Sequence, residues 1–258
     1  MKLSRLSRSI EGKVAIVTGA ASGMGRATAR LFADEGAKVA IMDVNAEPLN
    51  RVATEIDAAG CAVKDWALDL GDREAINETF AEVADHFGGI DILVNNAGIS
   101  LFAPIDSDDY EAAWDRSLAI LLTAHTRTIR AALPWLRKAE HPRIVNIAST
   151  EGLGATKYGS PYTAAKTGVI GLTRSLAVEL GSEGITVNCI CPGPIHTGMT
   201  AGIPDQAKQE FARRRVALKR YADPEEVAHM TLSLVLPAAA FTTGVALPVD
   251  GGLTIRNA

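Results

Sequence analysis

The chain has 258 residues, 30 Asp and Glu against 26 Lys and Arg, a formal net charge of -4, and 47% hydrophobic but only 5% aromatic residues. This length makes one large domain or two small ones with an ample core, the apolar fraction excludes disorder, and a mildly acidic chain without a basic block argues against nucleic-acid binding. The three cysteines Cys61, Cys189 and Cys191 cannot all pair and form no C-x-x-C, which argues against a disulfide scaffold or a metal site, and no apolar run approaches the ~20 residues of a membrane span.

The first ten residues, MKLSRLSRSI, carry three basic groups and no apolar run of the signal-peptide type. They read as part of a surface arm over 1–12, on a cytoplasmic protein. Beyond it, short β-branched runs alternate with longer amphipathic stretches. Strands are expected over 13–18 (KVAIVT), 38–42 (KVAIM), 62–68 (AVKDWAL), 90–95 (IDILVN), 143–149 (RIVNIAS), 185–190 (ITVNCI) and 245–249 (VALPV). Helices are expected to begin near Gly23, Ala46, Asp72, Asp108, Pro161, Asp205 and Pro224. Continuous rather than alternating apolar strands mean burial on both faces. The pattern predicts an α/β fold, a Rossmann-like doubly wound parallel sheet of about seven strands with helices on both faces. No linker or repeat divides 13–258, which reads as one domain. The stretch 193–223 interrupts the alternation and reads as a lid over the carboxyl ends of the strands.

Directly after the first strand stands Thr18-Gly19-Ala20-Ala21-Ser22-Gly23-Met24-Gly25, opening a helix. Glycines at 19, 23 and 25 suit a tight turn, a backbone that approaches a pyrophosphate, and a helix N-terminus aimed at the anion. A strand before and a helix after is the context such a motif requires. Asp43 closes the second strand, 24 residues after Gly19. An acidic group there accepts hydrogen bonds from adenosine ribose hydroxyls and repels a 2′-phosphate, which favours NAD over NADP. A simple turn aspartate is the alternative.

Three further groups follow in order. Asn95-Asn96-Ala97-Gly98 closes the fourth strand, Ser149 precedes Tyr162 by 13 residues with Lys166 four further on, and Pro192-Gly193-Pro194-Ile195-His196-Thr197 follows the sixth strand. Tyr-x-x-x-Lys alone is only an i,i+4 pair on a helix. With TGAASGMG, however, these motifs closely resemble the short-chain dehydrogenase/reductase family over residues 10–255. The resemblance implies that Ser149 holds the substrate oxygen and Tyr162 is the general acid/base. It implies that Lys166, with the positive nicotinamide of NAD⁺, lowers the phenol below its ordinary pKa of about 10, and that Lys166 holds the nicotinamide ribose. It implies cofactor contacts from Gly19, Ser22, Gly23, Met24 and Gly25 at the pyrophosphate, from Asp43 at the ribose, and from Asp69 and Leu70 at the adenine. Asn96, Ala97 and Gly98 would line the adenosine side, and Pro192, Gly193, Ile195 and Thr197 the nicotinamide.

One departure stands out. In Trp114-Asp115-Arg116-Ser117-Leu118-Ala119-Ile120-Leu121-Leu122, leucine occupies position 121, where the family usually carries an Asn thought to order a water linked to the lysine. Ser117 and His125, one turn either side on the same helix face, are candidates to hold a substitute water, with packing as the alternative.

The expected substrate pocket takes Ser100, Leu101 and Phe102 after NNAG, Leu153, Gly154 and Tyr158 after Ser149, and Pro194, His196 and Met199 in the lid, together with Ser149. It is mostly apolar and suits a hydrophobic secondary alcohol or ketone. Arg213-Arg214-Arg215 reads as a solvated helix face, with anion binding as the alternative. The family resemblance further implies a homodimer or homotetramer. The competing readings are a 3-oxoacyl thioester reductase and a dinucleotide-binding regulator that has lost catalysis.

Overall fold

A computed structural model describes residues 5–257. Seven strands form one all-parallel sheet: β1 Val14–Thr18, β2 Lys38–Asp43, β3 Val63–Ala67, β4 Ile92–Asn95, β5 Arg143–Ile147, β6 Thr186–Pro192 and β7 Ala246–Val249. Their spatial order is β3-β2-β1-β4-β5-β6-β7. Every expected strand is present, with ends displaced by at most two residues. The central strands β1, β4, β5 and β6 are buried along their whole length, as their unbroken apolar runs require.

Helices α1 Gly23–Asp34, α2 Ala46–Ala58 and α8 Pro224–Val235 cover one face, and α3 Arg73–Phe87, α5 Ala124–Leu136 and α6 Ser160–Leu180 the other. Local signals set their ends. Asp72 accepts the Ala75 amide at 3.0 Å to start α3, and Gly88, at φ +91, ends it. Asp223 and Glu226 make a reciprocal capping box around Pro224 at the start of α8. Two cores result: Phe32, Ile41, Leu49 and Val227 pack on one face, and Phe80, Leu93, Ile129 and Val187 on the other.

Two expectations change. Ile10, assigned to a surface arm, is 1% exposed and belongs to the first core. The Gly12 amide bonds the Gly36 carbonyl at 2.8 Å, which draws the chain under the sheet; residues 1–4 lie outside the described residues. The helix expected from Asp108 is three consecutive pieces: α4 Tyr110–Leu118, a π-helical turn Ala119–Thr123, and α5. A π-turn closes i→i+5 bonds, so it moves Leu121 and His125 off simple α-helical register with Ser117. Within 193–223, Ile195 bridges Ala222, a short 3₁₀ turn spans Gly198–Thr200, and α7 runs Asp205–Arg215.

A buried polar row crosses the second core. Thr128 Oγ1 donates to Asn95 Oδ1 at 2.7 Å, Asn95 Nδ2 to Asn146 Oδ1 at 3.0 Å, and Asn146 Nδ2 to Thr173 Oγ1 at 3.0 Å. It ties α5, β4, β5 and α6 together at the carboxyl end of the sheet. Replacing Asn146 by Leu strands the Asn95 amide and the Thr173 hydroxyl in a dry interior, at about 1–3 kcal/mol for each orphaned group. The expected result is a lower urea midpoint with an unchanged slope.

Candidate active site

Strand order reverses between β1 and β4, and the loops after these two strands meet there, at the crevice where open α/β sheets take ligands. Their contact is close. A Cβ on Gly19, which lies at φ +67, would fall 2.6 Å from Ala97 Cα, and one on Gly25 would fall 2.2 Å from the Gly19 carbonyl. Asn96 Nδ2 donates to the Thr18 and Gly19 carbonyls at 2.9 and 3.2 Å, while Thr18 Oγ1 accepts the Asn96 and Ala97 amides at 3.0 and 3.1 Å. Gly25 and the Asn96 side chain therefore shape the turn from behind.

The turn leads into α1, whose N-cap Ser22 makes no side-chain capping bond and whose first turn has no acidic residue. Its leading amides are left for an anion. A cavity of about 320 Å³ opens over them. Gly19, Ser22, Gly23, Met24, Asp43, Asp69, Leu70, Asn96, Ala97, Gly98, Tyr162, Lys166, Thr197 and Met199 all line it. Asp43 is held in place: Oδ2 accepts the Ala21 amide at 3.2 Å, and Oδ1 accepts the Asn45 amide and side chain at 2.9 Å each. A glycine cradle, uncapped helix amides and a fixed carboxylate in one cavity fit a dinucleotide.

Ser149, Tyr162 and Lys166 come together at the other end. Ser149 is 8% exposed and caps the 3₁₀ turn Thr150–Gly152, its Oγ accepting the Glu151 amide at 3.1 Å. Lys166 is 3% exposed; Nζ donates to the Ile147 carbonyl at 2.8 Å and lies 5.8 Å from the centre of the Tyr162 ring. Burial lowers the Lys166 ammonium to a pKa of about 8. For Tyr162 the protein alone acts in the opposite sense to the lysine. Burial raises its phenol above the ordinary value, outweighing the hydrogen bond with Ser149 that lowers it, and the Glu151 charge adds to the rise. Desolvation of the phenolate is the largest of these effects.

Other positions divide. Pro192 ends β6, and a Cβ on Gly193 would collide with Asp250. The Ile195 side chain is 4% exposed, in the first core, so any contact it makes to a cofactor is through its main chain. The Thr197 side chain closes over Gly23, within 3.3 Å of where a Cβ would stand. Leu101, Leu153 and Tyr158 lie on the loops around Tyr162; Leu153 and Tyr158 are exposed, and Tyr158 is left-handed at φ +67. Arg213, Arg214 and Arg215 are exposed on α7.

Phe102, expected in the substrate pocket, stacks on Tyr162, with centroids 6.2 Å apart and planes at 19°. Its ring covers Gly159, where a Cβ would come within 2.9 Å of it. Other residues had no sequence signal. Glu151 receives hydrogen bonds from Thr156 at 2.8 Å and Thr163 at 3.5 Å. Arg116 and Ile120 reach the cavity wall from the helix after NNAG. Leu121, Ser117 and His125 are all fully or almost fully buried.

Known proteins share this arrangement. A family model described as enoyl-(acyl carrier protein) reductase matches residues 19–254. A 3-oxoacyl-[acyl-carrier-protein] reductase of Thermotoga maritima is 38% identical over 253 residues, covering 95% of this chain and 99% of its own. A cis-4-hydroxycyclohexanecarboxylate dehydrogenase of Sinomonas cyclohexanicum is 42% identical over 243 residues, covering 94% and 96%. The crystal structure of a dehydrogenase/reductase from Sinorhizobium meliloti 1021 superposes with a TM-score of 0.90 at 38% identity, covering 97% of this chain and 98% of its own. With the glycine turn, NNAG, and Ser149, Tyr162 and Lys166 gathered on one crevice, the chain belongs to the short-chain dehydrogenase/reductase family of oxidoreductases.

Proposed function

We propose that the protein is an NAD-dependent oxidoreductase that moves hydride between the nicotinamide and a hydrophobic secondary alcohol or its ketone, with Tyr162 as general acid/base. The observation that carries the reading is the single cavity with Asp43 fixed at one end and Tyr162 and Lys166 at the other. A bound nicotinamide supplies the hydride chemistry; the residues of this chain bind, orient and move the proton.

The α1 amides behind Gly19, Ser22, Gly23 and Met24 take the pyrophosphate. Asp43 takes the adenosine ribose hydroxyls and disfavours a 2′-phosphate, and Asp69, Leu70 and Asn96 to Gly98 flank the adenosine. Thr197 and the main chain of Pro192, Gly193 and Ile195 border the nicotinamide. Ser149 holds the substrate oxygen against Tyr162. In reduction Tyr162 gives that oxygen its hydroxyl proton, and its raised pKa keeps the proton on the phenol at neutral pH. In alcohol oxidation the phenolate takes the proton, with the Lys166 ammonium beside it.

The relatives named for acyl-carrier substrates favour a second reading, a 3-oxoacyl thioester reductase, which Asp43 opposes by disfavouring NADP. The apolar Phe102, Leu153 and Met199 around the opening support an apolar substrate. Exposed Val178 on α6 and Phe241 beside β7 suit a chain that assembles as a dimer or tetramer. Unpaired Cys61, Cys189 and Cys191 suit the cytoplasm.

Purified protein with NAD or NADP and a panel of apolar alcohols, ketones and acyl thioesters, followed by absorbance of the reduced nicotinamide, tests this reading. Turnover of a secondary alcohol with NAD is expected; turnover confined to acyl thioesters with NADP supports the second reading. Tyr162→Phe is expected to lower kcat by ~10²–10⁴-fold. Asp43→Ser is expected to shift the NADP/NAD ratio of kcat/KM upward at least ~tenfold, through loss of repulsion at the 2′ position.

Lys166 gives a stability test of opposite sign. Its pKa falls from 10.5 in the unfolded chain to about 8 in the fold, so carrying the charge destabilises the fold below pH 8. That cost is relieved as pH rises from about 8 to 10.5. Lys166→Met should abolish turnover, raise the thermal midpoint at pH 7 by roughly a few degrees, and lose that advantage as the pH approaches 10.

A further inference from the structure

Residues 205–221 carry six cationic side chains against two carboxylates, in a chain whose net charge is -4. A solvated face is the ordinary place for such charge. Three of the six instead wall a cavity of about 310 Å³. One wall is a face of α7, where Asp205, Lys208 and Gln209 stand three and four residues apart. Lys219 and Arg220 form another, and His196 and Tyr221, with ring centres 5.3 Å apart, complete the lining. His196, expected in the substrate pocket, lines this cavity rather than the crevice.

Among the described residues the cations of this cavity make two ion pairs, Lys208–Asp205 and Arg220–Glu226, and Lys219 is in neither. Arg220 is bidentate to Glu226 at 2.6 and 2.7 Å, which braces the wall and neutralises it. Asp205 stands 3.5 Å from the Lys208 ammonium, and its carboxylate is 89% exposed, so water screens that pair. The Lys208 side chain is only 11% exposed. A lysine ordinarily extends its ammonium into water; this one lies down along the cavity. Lys219 is held at φ +56, a left-handed backbone that costs any residue with a Cβ and that glycine adopts freely. The Lys219 amide bonds the Val216 carbonyl at 3.1 Å, and the Leu218 amide bonds the Gly251 carbonyl at 3.0 Å, so the turn is fixed. Strain kept at a lysine, where glycine would fit without it, points to a use for the side chain.

The lid joins this cavity to the crevice. The Ala222 amide bonds the Pro194 carbonyl at 3.0 Å and the His196 amide bonds the Ala222 carbonyl at 2.9 Å, pinning 194–196 in extended form. Successive side chains of an extended segment point to opposite sides. Thr197 accordingly lies against Gly23 in the crevice, and His196 lines the other cavity. We propose that the cavity of Lys208 and Lys219 is a second ligand site, for a phosphate-sized oxyanion, and that its occupancy steadies the lid over the crevice. Lys208 and Lys219 supply the charge from two walls, and Gln209 and His196 supply N–H donors. A free phosphate and a phosphomonoester on a larger molecule present the same chemistry. Binding of the anion stands independently of the proposed activity; its coupling to NAD rests on that reading.

Titration calorimetry of the full-length protein with inorganic phosphate, in chloride at constant ionic strength, tests the site. Lys208→Gln and Lys219→Gly are each expected to weaken phosphate binding about tenfold. Arg214→Gln, on the exposed arginine run, is the control and should change it less than ~twofold. Lys219→Gly also relieves the left-handed backbone, so it should melt at or above the temperature of the unmodified protein while losing the anion. That pairing separates a binding role from a folding one. 4′-Phosphopantetheine is the second ligand: affinity at least ~tenfold above that of phosphate assigns the anion to a larger molecule, and equal affinity assigns a free ion. With phosphate present the Kd for NAD should fall about fivefold, and Lys219→Gly should remove that gain. Phosphate binding that survives both lysine variants, or that Arg214→Gln weakens equally, is general surface attraction and overturns the site. Phosphate binding without any change in NAD affinity overturns the coupling. Phosphate binding in a protein that takes up no NAD removes the proposed cofactor and leaves the anion site standing.

Discussion

The side-chain amide of Asn96 spans the gap between the two strand-end loops, donating to the carbonyls of Thr18 and Gly19 while its own main chain is received by the Thr18 hydroxyl. These bonds join loops 77 and 78 positions apart in sequence. They fix the mouth of the crevice at the reversal of strand order, and every other part of the site is measured from it. The glycines at 19 and 25 are the steric side of the same constraint, since a single methyl at either would push the loops apart. A cavity for an extended, doubly anionic ligand thus arises from backbone proximity, with few charged side chains involved. Of those that line it, Asp43 is itself tethered by backbone amides.

The two ends of the crevice follow different physics. At the glycine end, uncapped amides offer partial positive charge without a titratable group. At the tyrosine end a buried ammonium stands beside a half-buried phenol, and loss of solvent pushes them in opposite directions: the phenol up, the ammonium down. Both shifts favour neutral forms. The fold therefore works against the charge separation that proton exchange requires, and the Ser149 hydrogen bond and the Ile147 carbonyl oppose that tendency locally.

Much of this was legible in the sequence because it depends on short-range rules. Unbroken β-branched runs predict strands buried on both faces, and all seven appear. Glycine spacing after the first strand, and a carboxylate at the end of the second, locate the crevice. What escaped prediction depends on how segments meet. Ile10 looked like part of a polar arm because its neighbours are Ser and Arg; only the turn at Gly12 places it under the sheet. Glu151 reaches Tyr162 through a loop whose path no periodicity records. The effect of burial on the phenol had no signal, because a sequence places Lys166 near Tyr162 but carries no measure of how much solvent both lose. The π-turn had no signal at all in Ala119-Ile120-Leu121-Leu122-Thr123, which reads as ordinary helix.

That turn has a consequence for how such a chain can change over generations. Relative to an uninterrupted α-helix, a π-turn accommodates one surplus residue, and a residue corresponds to about 100° of rotation. Loss of one codon within 119–123 would leave a regular α-helix and keep the residues beyond it on their present faces, because the turn already absorbs that rotation. A codon lost or gained between the turn and Thr128 has no such outlet and would swing Thr128 about the helix axis, away from Asn95. A deletion is therefore open to this segment in a way that it is not to the regular helix beside it.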